Sequence, residues 1–170
     1  MIASISQNHK NRYVTKYDKC LKRLNCLRSK MVFSTETITQ EDLEQQAKIL
    51  ANSITAPVCI ALWGEMGAGK STFARAFIRS FLPDIEVPSP TFTLVQTYPT
   101  PKGEIWHCDL YRLATEDEVQ ELGLLEAFNE AICLVEWPER LGDFLPRSRY
   151  NIVIGTNDDQ SRCYRCEYLP

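Results

Sequence analysis

The chain has 170 residues, 44% of them hydrophobic and 24% charged, with a formal net charge of −3, a length that supports one core of ordinary size and excludes two. No apolar run approaches the roughly 18–20 residues of a membrane-spanning helix, and the N-terminus lacks the apolar centre of a secretory signal, so a soluble, cytoplasmic protein with no membrane partner is expected. Charge is uneven: residues 1–30 hold eight Lys or Arg against the single acid Asp18, a local balance of +7 that leaves the remainder at −10.

In that basic segment Tyr13, Tyr17, Leu21 and Leu24 share a helical stripe, which fits an arm for RNA or a protein partner, an organelle presequence, or a dispensable upstream piece. Met31 is followed by Val-Phe-Ser-Thr-Glu-Thr, a natural first strand at 32–37. Residues 1–30 are therefore read as a basic N-terminal extension, disordered or helical and outside the fold, and residues 31–170 as the folded domain. Thr39 stands as a helix N-cap with Glu41 and Asp42 in the first turn, and Leu43, Ala47, Leu50, Ala51 and Ile54 give that helix its buried face.

Val58 to Trp63 is a continuous apolar run of the length of a strand buried on both faces. It leads into Gly64-Glu65-Met66-Gly67-Ala68-Gly69-Lys70-Ser71-Thr72, which fits Gly, four residues, then Gly-Lys-Ser/Thr. This is the phosphate-loop pattern: bare glycines let backbone N–H groups wrap a polyphosphate, Lys70 faces its outer phosphates, and the Ser71 hydroxyl is placed to ligate magnesium. Phe73, Ala74, Phe77, Ile78 and Phe81 then recur at helical spacing and the helix stops by Pro83, so the loop opens a helix whose N-terminal dipole favours an anion.

Val87 to Tyr98 begins with two prolines and becomes a strand through Phe92, Leu94 and Thr97-Tyr98; after a turn at 99–103, Ile105 to Tyr111 returns as its antiparallel partner. Thr115 with Glu118 reads as a capping box, opening a helix through Val119, Leu122, Leu125 and Phe128 that Gly123 weakens. Ala131 to Glu136 is an apolar strand ending in an acid, Pro138 starts a short helix, and Tyr150–Ile154 with Cys163–Tyr168 forms a last hairpin around Thr156-Asn157-Asp158-Asp159. The fold class is α/β: a single-domain phosphate-loop NTPase with a mostly parallel central sheet, flanking helices and antiparallel hairpins.

Glu136, directly after an apolar strand downstream of a phosphate loop, is placed to serve magnesium through water, while Asp109 closes another strand and is read as a catalytic or metal-shell group rather than a mere partner of Arg112. His107 is a lone strand histidine, more often structural. Ser89-Pro90-Thr91 is stiff and rich in hydroxyls, which suits a switch segment that senses the outer phosphate. Trp137 fits either a base stack or the core. The seven cysteines are scattered, several in apolar strands (Cys59, Cys108, Cys133), and suit reduced buried thiols; Cys163-x-x-Cys166 lacks an obvious second pair for zinc.

Together the phosphate loop, Ser89-Pro90-Thr91-Phe92-Thr93-Leu94-Val95, His107-Cys108-Asp109-Leu110-Tyr111-Arg112-Leu113 and Glu136-Trp137-Pro138-Glu139-Arg140 resemble the TsaE (YjeE) family of tRNA threonylcarbamoyladenosine biosynthesis ATPases, over roughly residues 32–155. The chain departs from the family in Ser71, where Thr is usual and the hydroxyl is kept, and in Cys108, where Phe is usual. The resemblance implies an ATP- and Mg2+-dependent P-loop ATPase domain over 31–170. It further implies a subunit required for N6-threonylcarbamoyladenosine at position 37 of tRNAs reading ANN codons, which does not itself transfer the threonylcarbamoyl group. Its partners would be a heterodimer of a TsaD-like transferase and a TsaB-like paralogue, with tRNA reached through that complex. By that likeness Ser71 and Glu136 fall on magnesium positions, Asp109 and Glu136 on catalytic ones, and residues 64–72 on the nucleotide.

Two other classes share parts of this pattern. A small-molecule kinase has the same opening and would use Asp109 or Glu136 as base, although no arginine-rich lid is visible. A nucleotide-controlled binding switch would use Ser89-Pro90-Thr91 to report the outer phosphate.

Overall fold

The computed structural model describes residues 36–115, 117–156 and 162–170. The chain runs β1 (Glu36–Ile38), α1 (Gln40–Ser53), β2 (Val58–Trp63), α2 (Lys70–Arg79), β3 (Val95–Tyr98), β4 (Ile105–Asp109), α3 (Asp117–Glu121), α4 (Leu124–Glu130), β5 (Ile132–Glu136), a 3-10 helix (Pro138–Phe144), β6 (Arg149–Thr156) and β7 (Arg162–Leu169). Among the described residues, seven strands form one sheet in the order β1, β7, β6, β2, β5, β4, β3. Its centre is parallel, β6 to β2 to β5 to β4, and both edges are closed by antiparallel pairs, β6 to β7 to β1 on one side and β4 to β3 on the other. This is the α/β arrangement that the apolar runs and turns lead one to expect, with the hairpins at the rims.

β2 and β5 are apolar almost throughout because helices cover both of their faces. Alternation along each strand divides the core. Ile60, Leu62, Ile132 and Leu134 pack with Leu43 and Ala47 of α1 and Phe73 and Phe77 of α2, whereas Cys59, Cys133 and Val135 pack with Val119 of α3, Leu124 and Ala127 of α4 and Leu141 of the 3-10 helix. The α1 cap forms as the sequence indicates: the Thr39 side chain accepts from the Asp42 N–H, and the Asp42 carboxylate accepts from the Thr39 N–H at 3.0 Å.

β1 is seen at Glu36–Ile38, overlapping the expected 32–37 at Glu36 and Thr37. Three expectations need correction. The strand expected from Phe92 starts only at Val95: Leu94 adopts φ 62, its N–H donates to the Pro90 carbonyl at 2.6 Å, and Phe92 stands 82% exposed on the resulting turn. The helix expected through Gly123 is two helices, since Gly123 takes φ 72 and caps α4. Glu118 reaches back as a capping residue would, yet to the Ala114 N–H and the Thr115 hydroxyl rather than to the Thr115 N–H. The basic extension 1–30, residues 32–35 of the expected first strand and the turn residues Asn157 to Asp159 lie outside the described residues.

Cys163 and Cys166 are three apart on β7, so their side chains leave opposite faces of the sheet. Cys166 joins the core beside α1 and α2. Among the described residues, no helix is long and apolar enough to cross a membrane.

Candidate functional site

The phosphate-loop residues lie where the C-terminal end of β2 meets the N-terminus of α2, the edge at which open parallel sheets bind ligands. Backbone geometry explains why glycine recurs there. Gly64 has φ 151, and a Cβ on it would run into the carbonyl oxygen of Ile154 on the neighbouring β6; Gly67 has φ 78 with nothing within 4 Å of a built Cβ. The first glycine lets the loop pass under β6, and the second leaves the loop's curve open. Met66 is 67% exposed at the tip.

Lys70 is held at the base of this curve. Its Nζ donates to the carbonyls of Gly64 at 2.8 Å and Glu65 at 2.9 Å and lies 4.0 Å from the centre of the Trp137 ring. Burial pushes the Lys70 ammonium below the ordinary lysine range, and Glu136, Glu139, Asp109 and Glu65 oppose that shift by their charge. Buried ammonium groups persist when carbonyls and a π face replace water. Trp137 reaches this position because it takes φ 60 at the end of β5. Its ring also lies 4.9 Å from that of Tyr111. Of the two readings open for Trp137, the structure shows core packing, against the cluster that holds Val135 and Leu141, and adds contact with the loop lysine.

The acids come from adjacent strands. Asp109 and Glu136 are register partners at the ends of β4 and β5, and both are buried. Glu136 accepts from the Ser71 hydroxyl through Oε2 at 2.9 Å and lies 2.9 Å from Nε2 of His107 through Oε1. Asp109 accepts from the Thr91 hydroxyl at 2.6 Å through Oδ2 and from the Tyr111 N–H at 3.1 Å through Oδ1; the Thr91 hydroxyl is also 2.8 Å from that of Ser89. Arg112, the alternative partner considered for Asp109, instead lies over the Phe92 ring, 4.5 Å from its centre.

The structure thus brings Lys70, Ser71, Glu136 and Trp137 to one point and ties Ser89 and Thr91 to Asp109 beside it. Pro90 contributes through its carbonyl, which accepts from the Leu94 N–H and holds the turn. Thr72 follows Ser71 in the first turn of α2. Ala68, within the loop, is buried. His107 is the residue that the sequence undervalued: it stands two places before Asp109 on the same strand face, and alternation alone aims it at the site.

The donor set suits a magnesium-bound polyphosphate. A hydroxyl and a carboxylate are hard oxygen ligands, a buried ammonium lies beside them, and the loop ends in a helix of ten residues. Ser71 and Glu136 would hold the cation, and the backbone of residues 64–72 with Lys70 the phosphates.

A family model described as "Threonylcarbamoyl adenosine biosynthesis protein TsaE" matches residues 37–164. The tRNA threonylcarbamoyladenosine biosynthesis protein TsaE of Rickettsia bellii is 37% identical over 134 residues, covering 77% of this chain and 93% of that protein. The protein of the same name from Bacillus subtilis is 36% identical over 127 residues, covering 74% and 79%. A crystal structure of Bacillus subtilis YdiB superposes with a TM-score of 0.65 at 28% identity, covering 84% of this chain and 90% of that one.

Proposed function

The chain belongs to the TsaE family of threonylcarbamoyl adenosine biosynthesis proteins, and on that premise we propose that it is the ATP-binding and ATP-hydrolysing subunit required to form N6-threonylcarbamoyladenosine at position 37 of tRNAs reading ANN codons. It acts in the cytoplasm with a transferase heterodimer made of a TsaD-like subunit and a TsaB-like paralogue, and meets tRNA through that complex. The observation that carries this reading is the 2.9 Å contact between Ser71 at the head of α2 and Glu136 at the end of β5, which joins a hydroxyl and a carboxylate beside a phosphate loop with its lysine buried.

In this reading ATP is the nucleotide and Mg2+ its counterion, and the bound cation would supply charge neutralisation for phosphoryl transfer. The chain's own residues do the rest. Lys70 places a positive charge at the base of the loop, and the two carbonyls on its Nζ fix where that charge sits. Ser71 and Glu136 would hold the cation. Asp109 holds Thr91, and through it the segment Ser89-Pro90-Thr91, against the strand end, so the switch and the site share one anchor. Trp137 lies against Lys70 and shields it from water, which strengthens its interaction with an anion.

Reconstitution tests the proposal. With the transferase heterodimer and tRNA, phosphate release should be slow for the subunit alone, faster in the complex, and coupled to threonylcarbamoyladenosine measured by nucleoside digestion and mass spectrometry. Stoichiometric transfer of the terminal phosphate of ATP to a nucleoside or other small acceptor would overturn it in favour of a kinase.

A further inference from the structure

We propose that His107 is a positioning residue that fixes the Glu136 carboxylate for the cation. The inference rests on the reading of Glu136 given above and concerns what makes that carboxylate competent. Glu136 and His107 are almost wholly enclosed, at 2% and 0% exposure. An enclosed carboxylate is costly unless donors meet both oxygens, and here they come from opposite sides: His107 Nε2 at Oε1 and the Ser71 hydroxyl at Oε2, each at 2.9 Å. With Oε1 committed to the imidazole, the rotation of the carboxyl group is set, and Oε2 is the oxygen presented to the head of α2.

The register explains how a strand histidine reaches it. His107 pairs with Leu134, and Glu136 lies two residues further along β5 on the same face, so the imidazole spans one step of the pleat to meet the carboxylate. A histidine placed only to fill the core would be expected to satisfy both ring nitrogens, because orphaned polar atoms in dry surroundings are destabilising. Among the described residues His107 has no partner at Nδ1 and one polar contact, with Glu136. The arrangement is that of outer partners which hold a metal-binding group in one orientation.

Calorimetric titration of the full chain with ATP at a series of magnesium concentrations tests this, comparing His107→Gln, His107→Asn, His107→Leu and Glu136→Ala with the unaltered protein. A Gln amide nitrogen occupies nearly the place of Nε2, whereas that of Asn falls short, near Nδ1, so the two bury the same chemistry and differ in reach. His107→Gln should keep the magnesium dependence within a few-fold. His107→Asn and His107→Leu should raise the magnesium needed for half-maximal effect by roughly 10- to 100-fold, with affinity for metal-free ATP unchanged. Equal behaviour of Gln and Asn would overturn the positioning role, and that comparison stands even where the Leu variant fails to fold. Should Glu136→Ala itself leave the magnesium dependence intact, the reading of Glu136 fails; should Glu136→Ala lose it while the Asn variant does not, only the role of His107 fails.

Discussion

Thr91 donates its hydroxyl to Oδ2 of Asp109 across 2.6 Å, and the Asp109 N–H donates to the Leu94 carbonyl at 2.9 Å, so the turn that carries the switch segment is fastened at two points to the residue ending β4. A strand-end carboxylate that serves as an anchor has a different mutational signature from one that holds a cation.

Asp109→Ala should therefore keep ATP affinity within a few-fold while turnover in the reconstituted complex falls by roughly 10²-fold, the scale of loss when a positioned group drifts by about 1 Å. Thr91→Val should show the same split, and the double variant should be little worse than Asp109→Ala, because the two residues form one link. Glu136→Ala should instead weaken magnesium-dependent binding together with turnover. Calorimetry and phosphate release separate these outcomes; full tRNA modification over many turnovers by Asp109→Ala would contradict the anchoring role.

Lys70→Ala should reduce ATP affinity by about 10- to 100-fold, which corresponds to about 1.5–3 kcal/mol for charge-assisted hydrogen bonds. Its thermal midpoint should fall little, since an enclosed ammonium is itself costly. Burial lowers the Lys70 pKa from 10.5, and the charged form is the one that binds phosphate. Affinity should thus decline as pH rises through the lowered value, before an ordinary lysine would lose its proton. An affinity that is flat until the ordinary lysine range, measured by titration at stepped pH, would contradict this.

Gly64→Ala and Gly67→Ala should differ in stability although both glycines have positive φ. At Gly67 a Cβ meets nothing within 4 Å, so the cost is backbone strain alone, about 1–2 kcal/mol. At Gly64 the Cβ also collides with the Ile154 carbonyl, which adds about 1–3 kcal/mol of overpacking. Denaturant unfolding of the two variants should show Gly64→Ala as clearly the less stable; equal midpoints would mean that β6 yields.

Cys59, Cys108 and Cys133 should resist alkylation near neutral pH until the protein unfolds. Burial pushes the Cys59 thiol up to about 12 and those of Cys108 and Cys133 well above their ordinary range, and only the thiolate reacts. Thiolate would form only as pH rises towards those values. Mass spectrometry after labelling of the folded protein should find these three unmodified, with the half-buried Cys163 modified ahead of them; prompt labelling of Cys108 would show that the sheet opens on the side packed by α3 and α4.

The sequence by itself determined the parts whose cause is local. Val58 to Trp63 and Ile132 to Glu136 are legible because a parallel strand enclosed on both faces must be apolar throughout. Thr39 declares its helix because the cap and its partner lie three residues apart, and the phosphate loop is written in glycines and a lysine at fixed spacing. Where folding depended on distant partners, the sequence did not decide. Phe92 and Leu94 have strand-like side chains, but the Pro90 carbonyl and the Asp109 N–H bind Leu94 on either side and bend the chain into a turn. Trp137 was open between core and base stack until the left-handed backbone at the end of β5 packed its ring against the core and against Lys70. Most of all, Ser71, His107 and Glu136 are 65 and 29 residues apart along the chain, and no local rule relates them. Only the parallel register of β4 with β5, and the seating of α2 on the same face, makes a strand histidine and a helix-head hydroxyl the two hands on one carboxylate.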